Sequence, residues 1–231
     1  MLRGRARLPL LAEIAGPAPG SAAWSLRRGD FERLGEALPQ LDGHRVVLVT
    51  GEGGAPAVAA VGLAAAASAS GRRTVLVDCG LAQPRLAAQI GLAAVPGLHE
   101  YLRWEAEPAD VLQPIVLAGP AAAGLADPLV CVSAGRPASK PETLLGLQSF
   151  SHMVGKLRQA YELVILLAPP VLGEPGPCLA VAAQADAVVA GLREGEAKGG
   201  EGRELRTAVR RLPPPAIGSV ALMGAALVQR S

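Results

Sequence analysis

The chain has 231 residues, long enough to bury a full core, with one domain the default expectation. Half of its residues are hydrophobic but only 3% are aromatic, so the core must be built from Ala, Val and Leu. A net charge of +2 gives no support to nucleic-acid binding, which leaves a basic stripe or patch.

Basic residues are lopsided, with 19 Arg against 3 Lys, and there is no Asn. Cys79, Cys131 and Cys178 are odd in number and far apart, which argues against a zinc or disulfide framework; each lies beside an apolar run and reads as a buried, inert thiol. Met1 to Arg7 is basic, but Leu8 to Ile14 is too short for a signal sequence. The longest apolar stretch, Ala55 to Ala69, falls below the roughly 20 residues of a spanning helix. A cytoplasmic location is expected, with membrane association only through a partner.

In chain order, Leu8 to Gly20 reads as an extended segment and a Pro/Gly linker, and Arg27 to Leu38 as a short amphipathic helix carrying Phe31, Leu34 and Leu38. We divide the chain into this leading part, residues 1–38, and an α/β domain, residues 39–231. Arg45 to Thr50 is a continuous apolar run, expected of a strand buried on both faces. A tight glycine loop, Gly51 to Gly54, follows, and Ala55 to Ser70 is a helix of small residues. Thr74 to Asp78 is a second buried strand ending in an acid. Pro84 to Ile90 and Gly97 to Leu102 predict helix pieces, Pro128 to Ser133 a third strand, and Glu142 to Ala160 one longer helix. Leu163 to Leu167 is a fourth strand, Asp186 to Leu192 a fifth, Gly199 to Arg211 a charged helix and Ala216 to Met223 a sixth strand. Glu194 to Gly202 reads as a solvated loop. Strands alternating with helices predict a three-layer, doubly wound, mostly parallel sheet with helices on both faces.

In such sheets ligands bind beyond the carboxyl ends of the strands. The first strand of the α/β rhythm ends in a glycine loop that opens a helix, the place where backbone N–H groups and a helix N-terminus cradle phosphates. A working P-loop also needs Lys for the β- and γ-phosphates and Ser or Thr for magnesium. The loop here reads Gly51-Glu52-Gly53-Gly54-Ala55-Pro56-Ala57, and no Lys precedes Lys140. Pro56 lacks the N–H a phosphate would use, and Glu52 adds negative charge.

These segments resemble the cytoplasmic kinase domain of bacterial tyrosine kinases of capsule and exopolysaccharide synthesis, in the MinD/ParA-like branch of P-loop ATPases. The resemblance is carried by Arg7 to Ile14, by Val46 to Val49 with the glycine loop at the Walker A place, and by Gly71 to Pro84. It continues through Gly97 to Leu102, Ser133 to Pro137 with Pro141 to Leu145, Leu157 to Val171, and Ile217 to Leu222. The resemblance implies a P-loop NTPase-like fold and a vestigial nucleotide site at Gly51, Gly53, Gly54, Ala55, Pro56, Ala57 and Asp78. Its departures fall on the chemical positions. The family's Walker A Lys and Ser/Thr fall at Pro56 and Ala57. The second Asp of its DxD motif is Gly80, its Walker B Asp is Leu167, and the Asn that ends its last strand is Met223. The tyrosine-rich tail is absent. No catalytic residue, metal ligand or cofactor is therefore assigned, ATP and magnesium entering only if an atypical site replaces the lysine.

The expected function is a non-catalytic scaffold or regulator of polysaccharide synthesis or export. Its partner would be a membrane polysaccharide co-polymerase or an active kinase homologue, in a homo- or hetero-oligomer. The alternatives are an active ATP-binding tyrosine kinase or ATPase, and a MinD/ParA-like positioning protein. Of the other candidates, Asp78 is expected to cap its loop or pair with Arg85 or a neighbouring Arg. Arg72 and Arg73 are expected in solvent and Lys140 in a loop. Trp24 and Trp104 are candidate partner anchors, Trp104 alternatively packing over the sheet. His44, His99 and His152 show no ligand spacing.

Overall fold

The computed structural model describes residues 8–17, 26–115, 128–198 and 202–223. Its centre is four parallel strands whose apolar runs leave no face for solvent: β2 (Val46–Gly51), β3 (Thr74–Asp78), β6 (Leu163–Leu167) and β7 (Ala187–Arg193), buried throughout except at Arg193. Along β2 the side chains alternate between two cores. Val47 and Val49 face one, with Leu76, Ile165 and Val189 from neighbouring strands. Val46 and Leu48 face the other, with Val77, Leu166 and Val188. A sheet with two apolar faces needs a layer on each.

The first core is covered by α2 (Ala55–Ala69), which is apolar all round and buried along nearly its whole length. Such a helix must itself be covered, and α1 (Arg28–Ala37) does this with Leu34. The approach is close: a Cβ on Gly62 would lie 2.7 Å from Leu34 Cδ1. The second core is covered by α7 (Gln148–Ala160) with Phe150, Met153, Val154 and Leu157, by α8 (Pro175–Ala182) with Cys178 and Val181, and by α10 (Arg203–Val209) with Leu205 and Val209.

Outer strands complete an eight-stranded sheet in the order β1-β8-β7-β2-β6-β3-β5-β4. Here β1 is Leu10–Ile14, β4 Leu112–Pro114, β5 Val130–Val132 and β8 Ala216–Leu222. All neighbours are parallel except β4 on β5. The extended segment at the start of the chain pairs with β8 as an edge of this sheet. The remaining helices are short: α3 (Leu86–Ile90), α4 (Leu98–Leu102), α5 (Pro108–Val111), α6 (Pro141–Leu145) and α9 (Glu194–Lys198).

Several expectations are corrected. The single helix over Glu142 to Ala160 is two, because Gly146 closes α6 and Leu147 turns extended before α7. Its apolar spacing runs on through the break, which is why periodicity missed it. Helix α8 falls in a stretch to which the sequence reading assigned no element; its Pro sits in the first turn, where a helix tolerates it. The loop predicted over Glu194 to Gly202 holds α9, and its Glu196 is buried, accepting a hydrogen bond from the Arg193 N–H at 2.8 Å and ion-pairing with the Arg193 guanidinium. Residues 199–201 of that stretch lie outside the described residues, as do Trp24 and Met1 to Arg7. Trp104 does not pack over the sheet. It is 79% exposed, in a left-handed conformation at φ 62°.

Two of the segments that carried the resemblance meet in space. The buried Glu100 of α4 accepts from the N–H of Gly97 at 2.8 Å and from the N–H and Nε of Arg136 at 3.2 and 2.8 Å. Burial opposes its ionisation, but Arg136 and these N–H groups outweigh burial and hold the carboxyl below its ordinary range.

Candidate nucleotide site at the carboxyl ends of the central strands

Strand β2 lies between β6 and β7, so its glycine loop opens at the point where the chain passes from one half of the sheet to the other, the position a doubly wound fold uses for ligands. Gly51 ends β2, Gly53 takes a left-handed φ of 64°, and Ala55 begins α2. The loop is packed down on the sheet. A Cβ on Gly51 would lie 2.2 Å from Gly191 O, and one on Gly191 would lie 2.5 Å from Pro56 Cα. Ala55 and Pro56 are buried in this contact. The Pro56 ring is therefore wedged between two glycines.

Glu52 has a role that its charge alone did not reveal. Its Oε1 accepts the N–H of Leu172 at 3.0 Å, tying the glycine loop to the segment after β6. Burial raises its pKa, against the lowering effect of that hydrogen bond. Below the loop, Thr50 Oγ1 donates to Pro169 O at 2.9 Å and lies 3.6 Å from the buried Cys178 Sγ. All three cysteines are buried free thiols, and burial pushes each thiol pKa up.

Asp78 ends β3 and is 3% exposed. Its Oδ1 accepts the N–H of Gly80 at 2.9 Å, so it caps its loop; among the described residues the alternative pairing with Arg85 or another Arg is not formed. Burial raises its pKa to about 6, the hydrogen bonds from Gly80 and Leu86 opposing. Beside it in register on β6 stands Leu167, 8% exposed, where the resemblance leads one to expect an Asp. Octahedral magnesium takes oxygen ligands, usually one or two carboxylates with phosphate and water. Here one desolvated carboxylate faces a leucine, and the loop offers neither a lysine nor a hydroxyl. These residues do not fit a magnesium–triphosphate group.

The other candidates lie apart. Arg72 and Arg73 precede β3, at the opposite end of the sheet, Arg72 beside Asp42 at 3.3 Å. Lys140 is exposed at the start of α6. His99 Nδ1 is 2.7 Å from Arg136 O. Among the described residues no three His, Cys, Asp or Glu side chains come together as a metal cluster, and no helix is long and apolar enough to cross a membrane.

Asp78 has a measurable signature. Its raised pKa means the folded chain binds more protons than the unfolded chain between the ordinary value of 3.8 and about 6. Stability from this group is present below that window, falls as pH rises through it, and is level above. The full amplitude is up to about 3 kcal/mol. Asp78→Asn is expected to remove the slope, so the stability difference between wild type and variant changes by about 2 kcal/mol between pH 4.5 and 7.5 in urea titrations.

Comparison with known proteins accords with this geometry. The kinase domain of Escherichia coli tyrosine kinase ETK superposes with a TM-score of 0.75 at 15% identity, over 97% of this chain and 94% of that one. The chain has the fold of a bacterial tyrosine-kinase domain. The BceF tyrosine kinase domain gives 0.72 at 22% identity, over 94% and 93%. The septum site-determining protein MinD from Pyrococcus horikoshii, complexed with Mg-ADP, gives 0.54 at 15% identity, over 77% and 69%. At these identities the likeness is one of fold, P-loop NTPase-like and α/β. No family model matches the chain, and no curated protein is similar enough to count as a relative. The kinase-domain fold thus extends over nearly the whole chain, while its glycine loop carries Pro56 and Glu52.

Proposed function

We propose that this chain is a non-catalytic homologue of the exopolysaccharide and capsule tyrosine autokinases, acting as a scaffold or regulator of polysaccharide synthesis or export. The observation that carries the reading is the packed glycine loop: Pro56 sits against Gly191, and Glu52 spans to Leu172 N. Each charge-assisted contact to a phosphate is worth roughly 1.5–3 kcal/mol. Losing a lysine, a hydroxyl and two carboxylates removes several of these together. Phosphoryl transfer depends almost wholly on positioning and electrostatic stabilisation, and the groups that supply them are missing. A fold kept over its full length without that chemistry suits a protein whose selected property is its surface. A membrane polysaccharide co-polymerase or an active kinase homologue is the proposed partner, met at the membrane from the cytoplasmic side.

The expected result is that isothermal titration with magnesium-ATP up to millimolar concentration gives no saturable heat, and that the chain incorporates no phosphate on its two tyrosines. Micromolar ATP affinity that a substitution at Gly53 or Gly54 abolishes would instead establish the active kinase or ATPase.

A further inference from the structure

A groove of about 610 Å³ lies between residues 171–175, which lead from β6 into α8, and the outward stripe of α10. That volume falls in the range of ligand-sized sites. One wall is apolar: Val171, Leu172, Pro175, and Ala208 at the floor of the stripe. The other presents Arg203, Thr207 and Arg211, four residues apart. Both arginines are exposed and, among the described residues, enter no ion pair, so their charges are available to a ligand. Glu204 is the one acid on the lining, so the groove is net cationic.

We propose that this groove takes an extended acidic segment of a partner protein, with two carboxylates four residues apart and apolar residues between them. Arg203 begins α10 and Arg211 stands two residues past its end, in a closing turn where the Arg211 N–H donates to Ala208 O, so the two are about 12 Å apart along the axis. Four residues of extended chain span about 13 Å, and alternate side chains point to opposite sides. Acids at the first and fifth positions then meet the two arginines, while the second and fourth positions lie on the Val171, Leu172 and Pro175 wall. The third position shares the α10 side with Glu204, so it must carry no acid; glycine suits it. Leu172 N is held by Glu52, so the apolar wall is fixed to the sheet rather than left as a free loop. The inference goes beyond the nucleotide reading, since the groove lies outside the glycine loop and its test contains no ATP.

The test is an amide chemical-shift titration of the full chain with the capped peptide Gly-Glu-Leu-Gly-Leu-Glu-Gly. Saturable shifts confined to residues 171–175 and 203–211 are expected, with affinity falling at least tenfold in R203E/R211E and not in R27E/R28E, which changes the same charge elsewhere. R203Q/R211Q serves if the reversal perturbs folding. The proposal is overturned by shifts that do not saturate or lie elsewhere. It is equally overturned by equal binding of the peptide with Lys for Glu, by retained affinity in both groove variants, or by acetate alone reproducing the full pattern, which would mark a simple anion site.

Discussion

Gly191→Ala is expected to destabilise the chain by about 3 kcal/mol, the upper end of what overpacking a rigid site costs. The added methyl would meet Pro56 Cα at 2.5 Å, Pro56 N at 2.7 Å and Ala55 C at 3.0 Å. All three belong to the backbone at the first turn of α2, and no side-chain rotation relieves them. Moving that turn outward would pull α2 from the sheet, and α2 fills the space between the sheet and α1 with more than a dozen buried residues. The comparison is Gly53→Ala, whose added methyl has nothing within 4 Å and whose only burden is its left-handed φ of 64°; a cost near 1 kcal/mol is expected there. Urea midpoints at unchanged slope separate the two. Equal midpoints for both variants would mean that α2 is not seated on β7 as described.

The contrast also shows what could be read from residues alone. The strands over residues 46–51, 74–78, 163–167 and 187–193 announce themselves, since only a strand buried on both faces makes an unbroken apolar run short enough to be bounded by polar residues. Asp78 was legible as an end-of-strand acid that caps its loop. Gly191 was not: within Ala187–Arg193 it is one small residue among others, and its importance depends on the first turn of a helix more than a hundred positions earlier. Glu52 was read as a repulsive charge because its partner, the N–H of Leu172, belongs to a segment brought near only by the sheet order. Glu196 was taken for a solvated side chain because Glu-Gly-Glu beside a glycine-rich stretch has no apolar spacing, yet the Arg193 N–H and guanidinium satisfy it and let it be buried. Local pattern fixes elements; contacts between distant segments decide what their polar residues do.

Leu167→Asp places an acid where the resemblance leads one to expect the Walker B Asp and is expected to cost about 4 kcal/mol or more at pH 7. Loss of a buried leucine alone removes about 2–5 kcal/mol. The new carboxylate would also stand in register beside Asp78, itself 3% exposed and already raised to about 6 by burial. Two carboxylates in one desolvated place cannot both ionise without a cation, so one pKa rises strongly. The folded variant then binds a proton that the unfolded chain has released. Its stability is therefore greatest at low pH and falls as pH rises toward neutrality, more steeply than in wild type, while Leu167→Asn carries the cavity without this slope. Magnesium decides what the place is. An ion that bound the restored pair well would stabilise the folded state by the logarithm of its saturation, and the variant would recover toward wild type at millimolar concentrations. We expect less than about 1 kcal/mol of recovery, because magnesium gives up its waters reluctantly and relies on phosphate oxygens that this loop, held down through Pro56 and Glu52, is not shaped to present. Recovery to wild-type stability in magnesium, absent with Leu167→Asn, would show instead that a single leucine separates this fold from a working metal site.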